Sequence, residues 1–168
     1  MAKFIKNSLG NLTEEATVGT SAGAADAGKV VNLNASGFID ATMLSPTVGA
    51  ETTDLVASEA LAAGDIVNIW NDTGVAKARK ADASDVSTQA SGFVLSAYAL
   101  NATAQVHLEG TNTALTGLTP GTNYFLSEVA GAITATAPAT ASAIVQKVGR
   151  SHGATKLSFE ASQPIILV

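Results

Sequence analysis

The sequence predicts an all-β protein in which an extended N-terminal arm and a small β joint precede an antiparallel β-barrel or sandwich. Beyond residue 50, short apolar runs separated by turn residues recur roughly every ten residues, which is typical of antiparallel β folds. No helical pattern long enough for a crossover helix separates these runs, which argues against a βαβ sheet. Alanine, glycine, serine and threonine dominate, and aromatic residues make up 5% of the chain. This composition suits closely approaching strands and a sparse core.

Residues 1–21 are predicted to form an extended arm. Glycines, serines and threonines interrupt it, and the spacing of its larger apolar residues fits neither a long helix nor a long strand. Those larger apolar residues are Phe4, Ile5, Leu9 and Leu12. The arm is either a frayed terminus or a peptide that becomes ordered on a partner surface, with Phe4 and Ile5 as its anchors.

Residues 22–50 are predicted to form a joint of two short strands followed by a linker. Residues 29–34 alternate like a strand, residues 35–37 (ASG) are turn residues, and a second strand begins at residues 38–40. Pro46 ends the second strand because proline cannot donate to a ladder. The larger side chains are Val31, Leu33, Phe38, Ile39 and Leu44. Two such strands are not stable alone, so the joint is expected to pack on the body, on copies of itself or on another protein.

Residues 51–168 are predicted to form the β domain. About ten strands are expected, over residues 53–57, 66–70, 75–81, 92–98, 104–109, 123–127, 132–135, 143–149, 155–160 and 164–168. Residues 71–74 (NDTG) form a turn between antiparallel strands, and Pro120 and Gly121 fit the central positions of a type II turn. Glutamate, alanine and leucine favour one helical turn over residues 58–63.

The joint carries an ordered series of motifs at residues 26–31 (DAGKVV), 34–37 (NASG), 39–40 (ID) and 43–46 (MLSP). This series resembles a segment of tailed-phage fibre and head-decoration proteins, where it connects an attachment arm to a distal β domain around a threefold axis. The body adds residues 55–65 (LVASEALAAGD), 79–83 (RKADA), 92–95 (GFVL), 109–113 (EGTNT) and 118–121 (LTPG). These stretches resemble β domains of phage structural proteins that decorate the capsid. Together, the resemblance covers most of the chain from residue 22 onward.

The resemblance implies a bacteriophage virion protein, a head fibre or cement protein that decorates the capsid exterior as a homotrimer. Its implied partners are other copies of itself and the major capsid protein, and its implied location is the capsid surface after synthesis in the host cytoplasm. The expected capsid contacts in the arm are Phe4, Ile5, Leu9 and Leu12. The expected trimer interface is Val31, Leu33, Phe38, Ile39 and Leu44. The alternative is a tail-fibre or receptor-binding module that recognises a host surface glycan. A length of 168 residues favours decoration, because fibres usually carry long shafts.

Lys77, Arg79 and Lys80 form the one basic cluster of the predicted β domain, and Lys77 and Arg79 share a strand face. One interpretation is a solvated edge strand whose charges resist pairing with another chain. The other is a salt-sensitive contact with an acidic partner surface, which makes Lys77 and Arg79 further candidate capsid contacts.

Charge and composition argue against several other classes. The net charge of −5 and the isoelectric point of about 4.8 do not suit a nucleic-acid-binding protein, which needs a basic surface. The chain has no cysteine, so disulfides and thiolate metal sites are excluded. The first residues (MAKFIKNSLGNL) lack the apolar run of a secretory signal, and no apolar stretch reaches about 18 residues, so a soluble protein without membrane contact is expected.

Residues 149–153 (GRSHG) match G-x-S-x-G, the nucleophile elbow of α/β-hydrolases. That motif requires a turn from strand to helix, whereas both flanks here are predicted strands, so we expect a hairpin turn. A hydrolase also needs an acid and then a histidine after the serine. After Ser151 there is no aspartate, and the only histidine is its neighbour His152.

The remaining polar residues do not form a recognisable catalytic or metal site. His107 and His152 lack a third ligand in register, so His107 is interpreted as a surface or interface residue. Asp65 with Asp72, and Asp82 with Asp85, lack the alternating oxygen ligands of a calcium loop. A glycosidase carboxylate pair is not excluded by spacing, but few aromatic residues remain to line a sugar cleft. We therefore predict no enzyme activity, no cofactor and no metal.

Overall fold

The computed structural model describes residues 3–44 and 51–168, and the chain divides into two compact units, Met1–Gly49 and Ala50–Val168. We call them the N-terminal unit and the body. The predicted arm and joint fall in the N-terminal unit, and the predicted β domain falls in the body. The predicted end of the joint at Pro46 lies outside the described residues.

The described residues contain fourteen strands and three short 3₁₀ helices, which confirms the all-β prediction. The strands of the N-terminal unit are β1 (Lys3–Ser8) and β2 (Asn11–Ala16). The strands of the body are β3 (Thr52–Ala57), β4 (Ile66–Asp72), β5 (Val75–Lys80), β6 (Gly92–Phe93), β7 (Thr103–His107), β8 (Gly110–Asn112), β9 (Asn123–Leu126), β10 (Ile133–Thr134), β11 (Ile144–Val145), β12 (Lys147–Gly153), β13 (Lys156–Phe159) and β14 (Ile165–Ile166). The 3₁₀ helices are Gly23–Asp26, Ala41–Met43 and Val86–Thr88.

Strands β1 and β2 pair as an antiparallel hairpin, so the predicted extended arm is wrong for this stretch. Leu9 and Gly10 form the two-residue turn, both with positive φ (53° and 88°), as the tight hairpin turn requires. The Asn7 side-chain oxygen accepts a hydrogen bond from the Gly10 amide at 2.9 Å. The sequence did not predict this hairpin, because the larger apolar residues of the two strands do not alternate as in a strand with a buried face.

The predicted strand pair of the joint is also wrong. Within residues 18–44, the β pairing is a single parallel bridge between Val18 and Val31, and the rest consists of turns and two 3₁₀ helices. The predicted turn at residues 35–37 is confirmed, because the Asn34 side chain accepts hydrogen bonds from the Ser36 and Phe38 amides, each at 3.0 Å. Such local side-chain bonds compete with ladder pairing, which explains the absence of a second strand here.

The first half of the body forms a closed barrel of strands β3, β5, β4, β6 and β7. All neighbouring pairs are antiparallel except β3 and β5, which pair in parallel through Val56 and Ala57. The predicted turn between β4 and β5 is confirmed, with Thr73 and Gly74 in positive φ and the Gly74 amide bonded to Asn71 at 2.7 Å.

The second half forms an antiparallel five-stranded sheet in the order β10-β9-β12-β13-β8 and a two-stranded sheet of β11 and β14. The type II turn at Pro120 and Gly121 before β9 is confirmed, with a hydrogen bond from the Thr122 amide to the Thr119 carbonyl. The predicted strand over 143–149 is divided between β11 and the start of β12.

Two buried clusters form the core of the body. One belongs to the barrel and includes Val67 and Val106. The other joins barrel residues such as Ile66 and Phe93 to sheet residues such as Leu157. Neighbouring Ile66 and Val67 therefore enter different clusters, as the alternation of a strand requires.

Two predicted elements of the body are wrong. Residues 58–63 are not helical, because their amides bond to distant carbonyls: the Ser58 amide to Ala78 at 2.7 Å and the Leu61 amide to Tyr98 at 2.9 Å. The predicted strand 92–98 stops at Phe93. Beyond Phe93, the chain lies beside residues 61–65. The Gly64 amide donates a hydrogen bond to the Val94 carbonyl at 2.8 Å.

Candidate interaction surface

The N-terminal unit exposes nearly all of its large apolar side chains. Among its described residues, Thr17 is the one buried residue and no apolar side chain is buried. The exposed large apolar residues are Ile5, Leu9, Leu12, Val30, Val31, Leu33, Phe38, Ile39 and Leu44. We call these nine residues the N-terminal apolar set. It contains every apolar residue predicted as a capsid or trimer contact except Phe4, which is half-buried.

The register of the hairpin separates the predicted arm anchors. Ile5 lies opposite Glu14 and Leu12 opposite Asn7, so Ile5 and Leu12 occupy one face as a diagonal pair. Phe4 follows the alternation to the other face. Phe4 and Ile5 therefore cannot act together on one flat surface. The pair that shares a face is Ile5 and Leu12, exposed by 70% and 72%.

Leu9 stands at the tip of the hairpin and is fully exposed. Its φ of 53° places a branched side chain in a backbone region that such residues rarely adopt. Ion pairs from Lys3 to Glu14 (2.6 Å) and from Lys6 to Glu15 (3.6 Å) flank the strands. Exposed pairs of this kind contribute little stability. The larger apolar residues of the hairpin are exposed or half-buried, so they form no buried core.

The turns of the joint are closed by short-range polar contacts, and the Ser21 amide also donates to the Thr42 hydroxyl at 2.8 Å. Asp40 accepts hydrogen bonds from the Thr42 amide (3.0 Å) and hydroxyl (2.7 Å), and these bonds lower the pKa of Asp40. Asp26 accepts from the Lys29 ammonium (2.7 Å) and the Ala22 amide (2.5 Å), which lowers the pKa of Asp26. Both carboxylates are charged near neutral pH and close the turns between the exposed apolar residues.

The basic cluster of the body is engaged within the chain. Lys77 bonds to Asp72 at 2.6 Å, and Lys80 lies 3.6 Å from Asp65. The Arg79 guanidinium donates to Asn68 (2.9 Å) and Ser87 (2.8 Å) and lies 5.0 Å from the centre of the Trp70 ring.

The interpretation of this cluster as an edge-protecting strand is wrong, because β5 lies between β3 and β4 in the barrel. The charges of Lys77 and Arg79 are already partnered, so a capsid contact through them would have to exchange existing bonds. We therefore give them a smaller part in any contact than the N-terminal apolar set.

The G-x-S-x-G match lies within β12 and not in a hairpin turn, so that prediction is wrong. Ser151 is buried, and its hydroxyl donates to the Thr119 carbonyl. This bond fixes the type II turn against β12. Ser151 therefore has a structural role in this fold, because its hydroxyl is bonded to a backbone carbonyl.

His107 is half-buried and stacks on Phe93, with ring centres 5.1 Å apart. Burial lowers the pKa of His107 below its usual value. In the described part of the chain, no three histidine or acidic side chains are placed to hold a metal ion. No helix there is long and apolar enough to cross a membrane.

The position of Phe4 and Ile5 on opposite faces of the hairpin was not predicted, because the register depends on a turn that the sequence did not predict. Sequence analysis also assigned no role to Arg150, which lies in an open groove on the body. No protein-family model matches the chain. A search of curated proteins finds no match either.

Proposed function

We propose that this chain is a structural protein of a tailed-phage virion that decorates or cements the capsid exterior as a homotrimer. The observation that carries the proposal is the N-terminal apolar set: nine large apolar side chains are exposed in a unit whose described residues bury none. Single exposed apolar residues are ordinary, but clusters of them mark surfaces that other proteins cover. The motif series from residue 26 to residue 46 supports the phage assignment.

The two parts of the set suit two kinds of contact. The hairpin presents Ile5 and Leu12 on one face and Leu9 at its tip, a narrow projection suited to a groove on the major capsid protein. Val31, Leu33, Phe38, Ile39 and Leu44 follow in the joint, where three copies would bury them around a common axis. Fully burying one such side chain contributes about 1.5–3 kcal/mol.

Three hairpins joined in one trimer would bind a capsid more tightly than any single hairpin. Once the first hairpin has docked, the other two search a small volume, so the apparent affinity rises without any new contact. This arrangement assigns attachment to the N-terminal unit and leaves the surface of the body free.

Co-sedimentation with purified, tailless capsids that lack this protein tests the attachment. The wild-type chain is expected to sediment with capsids, and a chain carrying both Ile5→Asp and Leu12→Asp is expected to remain in solution. Val75→Asp is the matched control, because Val75 is a comparably exposed apolar residue of the body. Equal binding by the hairpin variant would overturn the assignment of the hairpin, and binding to host cells but not to capsids would favour the receptor-binding alternative.

Light scattering tests the trimer. The wild-type chain is expected to show three times the mass of one 16.8 kDa chain. A variant with Phe38→Asp and Ile39→Asp is expected to fall towards the mass of a monomer, whereas Leu100→Asp, an exposed residue of the body, is expected to leave the mass unchanged. A monomeric wild-type chain would remove the trimer from the proposal.

A further inference from the structure

An open groove crosses the outer face of the five-stranded sheet of the body, with a volume of about 700 Å³. The residues that line it are Gly121, Asn123, Lys147, Arg150, buried Ser151, His152, Ser158 and Glu160. Arg150 pairs with Asn123 on one side and with Ser158 on the other, so these three residues form a row across β9, β12 and β13. Gly149 and Ser151, which flank Arg150, and Leu157, which precedes Ser158, are buried, and this alternation directs the row to solvent.

One wall of the groove is rigid. The type II turn before β9 is tied to β12 by hydrogen bonds from the Gly121 amide to the Ser151 carbonyl (2.8 Å) and from the Ser151 amide to the Thr122 carbonyl (3.0 Å). The Tyr124 hydroxyl accepts from the Thr119 amide at 3.0 Å. Side chains on such a wall are positioned before a ligand arrives, which reduces the entropy lost on binding.

Arg150 is oriented by this wall. Its Nε donates to the Gly121 carbonyl at 3.0 Å, which leaves the two terminal nitrogens for another partner. Among the described residues, no carboxylate lies within ion-pair distance of Arg150. The guanidinium therefore has fixed direction, full charge and unused donors, the combination that binds a carboxylate through two parallel hydrogen bonds.

The groove is locally basic on an acidic protein. Of the charged residues that line it, Lys147 and Arg150 are basic and Glu160 is acidic. Residues 51–146 contain nine acidic and three basic residues. An anionic ligand would therefore be repelled by most of the body and attracted to the groove.

We infer that the groove binds an acidic saccharide, a sugar chain that carries spaced carboxylates. Arg150 holds one carboxylate, while Asn123, Ser158 and the Lys147–Glu160 pair (3.7 Å) exchange hydrogen bonds with hydroxyl groups. A nucleic acid fits less well, because Glu160 would repel a continuous row of phosphates. The lining is polar, which disfavours an apolar ligand. This inference rests on the body alone and does not depend on capsid attachment.

A titration of the purified full-length chain with trigalacturonate, followed by backbone amide NMR, tests the inference. Amide shifts are expected at the groove strands β9, β12 and β13, together with a shift of the Arg150 Nε–H. The fully methyl-esterified trisaccharide, which has the same hydroxyl groups but no charge, is expected to bind at least about tenfold more weakly, as the loss of a charge-assisted pair predicts.

Two variants separate the groove from general charge attraction. Arg150→Gln is expected to weaken trigalacturonate binding by at least about tenfold. Lys156→Gln removes the same charge from the same pair of strands but does not line the groove, so less than about a twofold change is expected. Both side chains are exposed, so both variants are expected to fold.

Several results would overturn the inference. These are no shifts in the groove, equal binding of the esterified sugar, or equal losses in the two variants. Tighter binding of hexathymidylate or hexaglutamate at the same residues would reassign the groove to nucleic acid or to an acidic peptide. None of these outcomes changes the result of the capsid experiment, so the two proposals fail separately.

Discussion

The two units of the molecule differ in how far they bury their apolar side chains. The body holds all twenty buried hydrophobic residues of the described chain, and all of them except Ala143 belong to the two clusters. The N-terminal unit holds nine of the sixteen exposed large ones in about a quarter of the chain. The apolar residues of the body are explained by its own core. Those of the N-terminal unit have no such explanation within one chain, which is why we assign the unit to contacts between chains.

Polar hydrogen bonds show the same contrast. In the body, buried Gln146 bonds to the backbone of Ala90, 56 residues away, and buried Asn112 bonds to Gly64, 48 residues away. In the N-terminal unit, Asn34 and Asp40 reach only two to four residues along the chain, and the longer bond from the Ser21 amide to the Thr42 hydroxyl is exposed. Long-range bonds lock distant segments together, whereas local bonds shape a turn and leave its neighbours free. The body should therefore unfold cooperatively, and the N-terminal unit should depend on its partners.

Matched truncations of phenylalanine test this contrast with the largest expected effect. Phe93 is 1% exposed and contacts both His107 and Phe159, so Phe93→Ala is expected to cost about 3–5 kcal/mol of unfolding free energy. Phe38 is 70% exposed, so Phe38→Ala is expected to change the unfolding free energy of a single chain by less than about 0.5 kcal/mol. Urea denaturation followed by Trp70 fluorescence and by circular dichroism measures both.

The Phe38 result also depends on assembly. If Phe38 lies in a trimer interface, its truncation should lower stability only under conditions in which the trimer forms, and the loss should depend on protein concentration. A large, concentration-independent loss for Phe38→Ala would show a core in the N-terminal unit and would break the contrast between the units.

Matched glycine substitutions give a smaller effect. A Cβ at Gly92 would lie 2.5 Å from the His107 carbonyl oxygen and 2.8 Å from a Val106 methyl group, so Gly92→Ala is expected to cost about 1–3 kcal/mol. A Cβ at Gly19 would meet nothing nearer than the Asn32 side chain at 3.4 Å. Gly19→Ala is therefore expected to be nearly neutral. Thermal unfolding by calorimetry measures both, and equal losses would contradict the tight barrel packing.

Sequence patterns predicted the body better than the N-terminal unit. The hairpin of β4 and β5 and the turn at Pro120 were predictable, because Gly74, Pro120 and Gly121 stand where a positive or fixed φ is required and apolar runs flank the turns. The hairpin of β1 and β2 has the same kind of turn, with Leu9 and Gly10 in positive φ, but its flanking residues lack the apolar alternation of a strand with a buried face. Residues 58–63 have a helical composition, but long-range amide bonds override that propensity.

The candidate surfaces were partly predictable for the same reason. Exposure of the N-terminal apolar set follows from a segment too short to bury its own side chains, so the sequence indicated candidate residues such as Ile5 and Leu12, which are exposed. Which of them share a face depends on register, and register depends on the turn at Leu9. The closed barrel, its parallel β3–β5 pair and the row through Arg150 depend on pairings between distant strands, which local patterns do not specify.

A change of pH tests the body through His107. Burial lowers the pKa of His107, so the folded state favours the neutral ring and the unfolded chain binds the proton more readily. The stability from this site is therefore present above the usual histidine pKa of about 6.5 and is lost as the pH falls below it. Urea midpoints at pH 7.5 and 5 should differ in the wild-type chain, and the difference should shrink in His107→Gln. The matched control is His152→Gln, an exposed residue of β12 that should leave this difference in place.

The smallest expected effect is the loss of order when acid removes one capping hydrogen bond in each unit. Asp40 caps the 3₁₀ helix Ala41–Met43 through the Thr42 amide, and Asp85 caps Val86–Thr88 through the Ser87 amide at 2.7 Å. These bonds lower the pKa of both carboxylates, so the caps hold above the usual aspartate pKa and are lost as the pH falls through the lowered values, below about pH 4.

The two helices should nevertheless respond differently to that loss. The Ser87 carbonyl also accepts from Arg79 at 2.8 Å, and the Thr88 hydroxyl bonds to the Asp82 carbonyl at 3.0 Å, so the helix of the body has two further supports. The helix Ala41–Met43 has a bond from the Ser21 amide to the exposed Thr42 hydroxyl at 2.8 Å. Acidification is expected to shift the Thr42 amide towards its random-coil position in NMR spectra while the amides of residues 86–88 keep their protection from hydrogen exchange. Equal loss of order at both helices would mean that the body depends on local caps as much as the N-terminal unit does, because the additional bonds of residues 86–88 would then contribute nothing measurable.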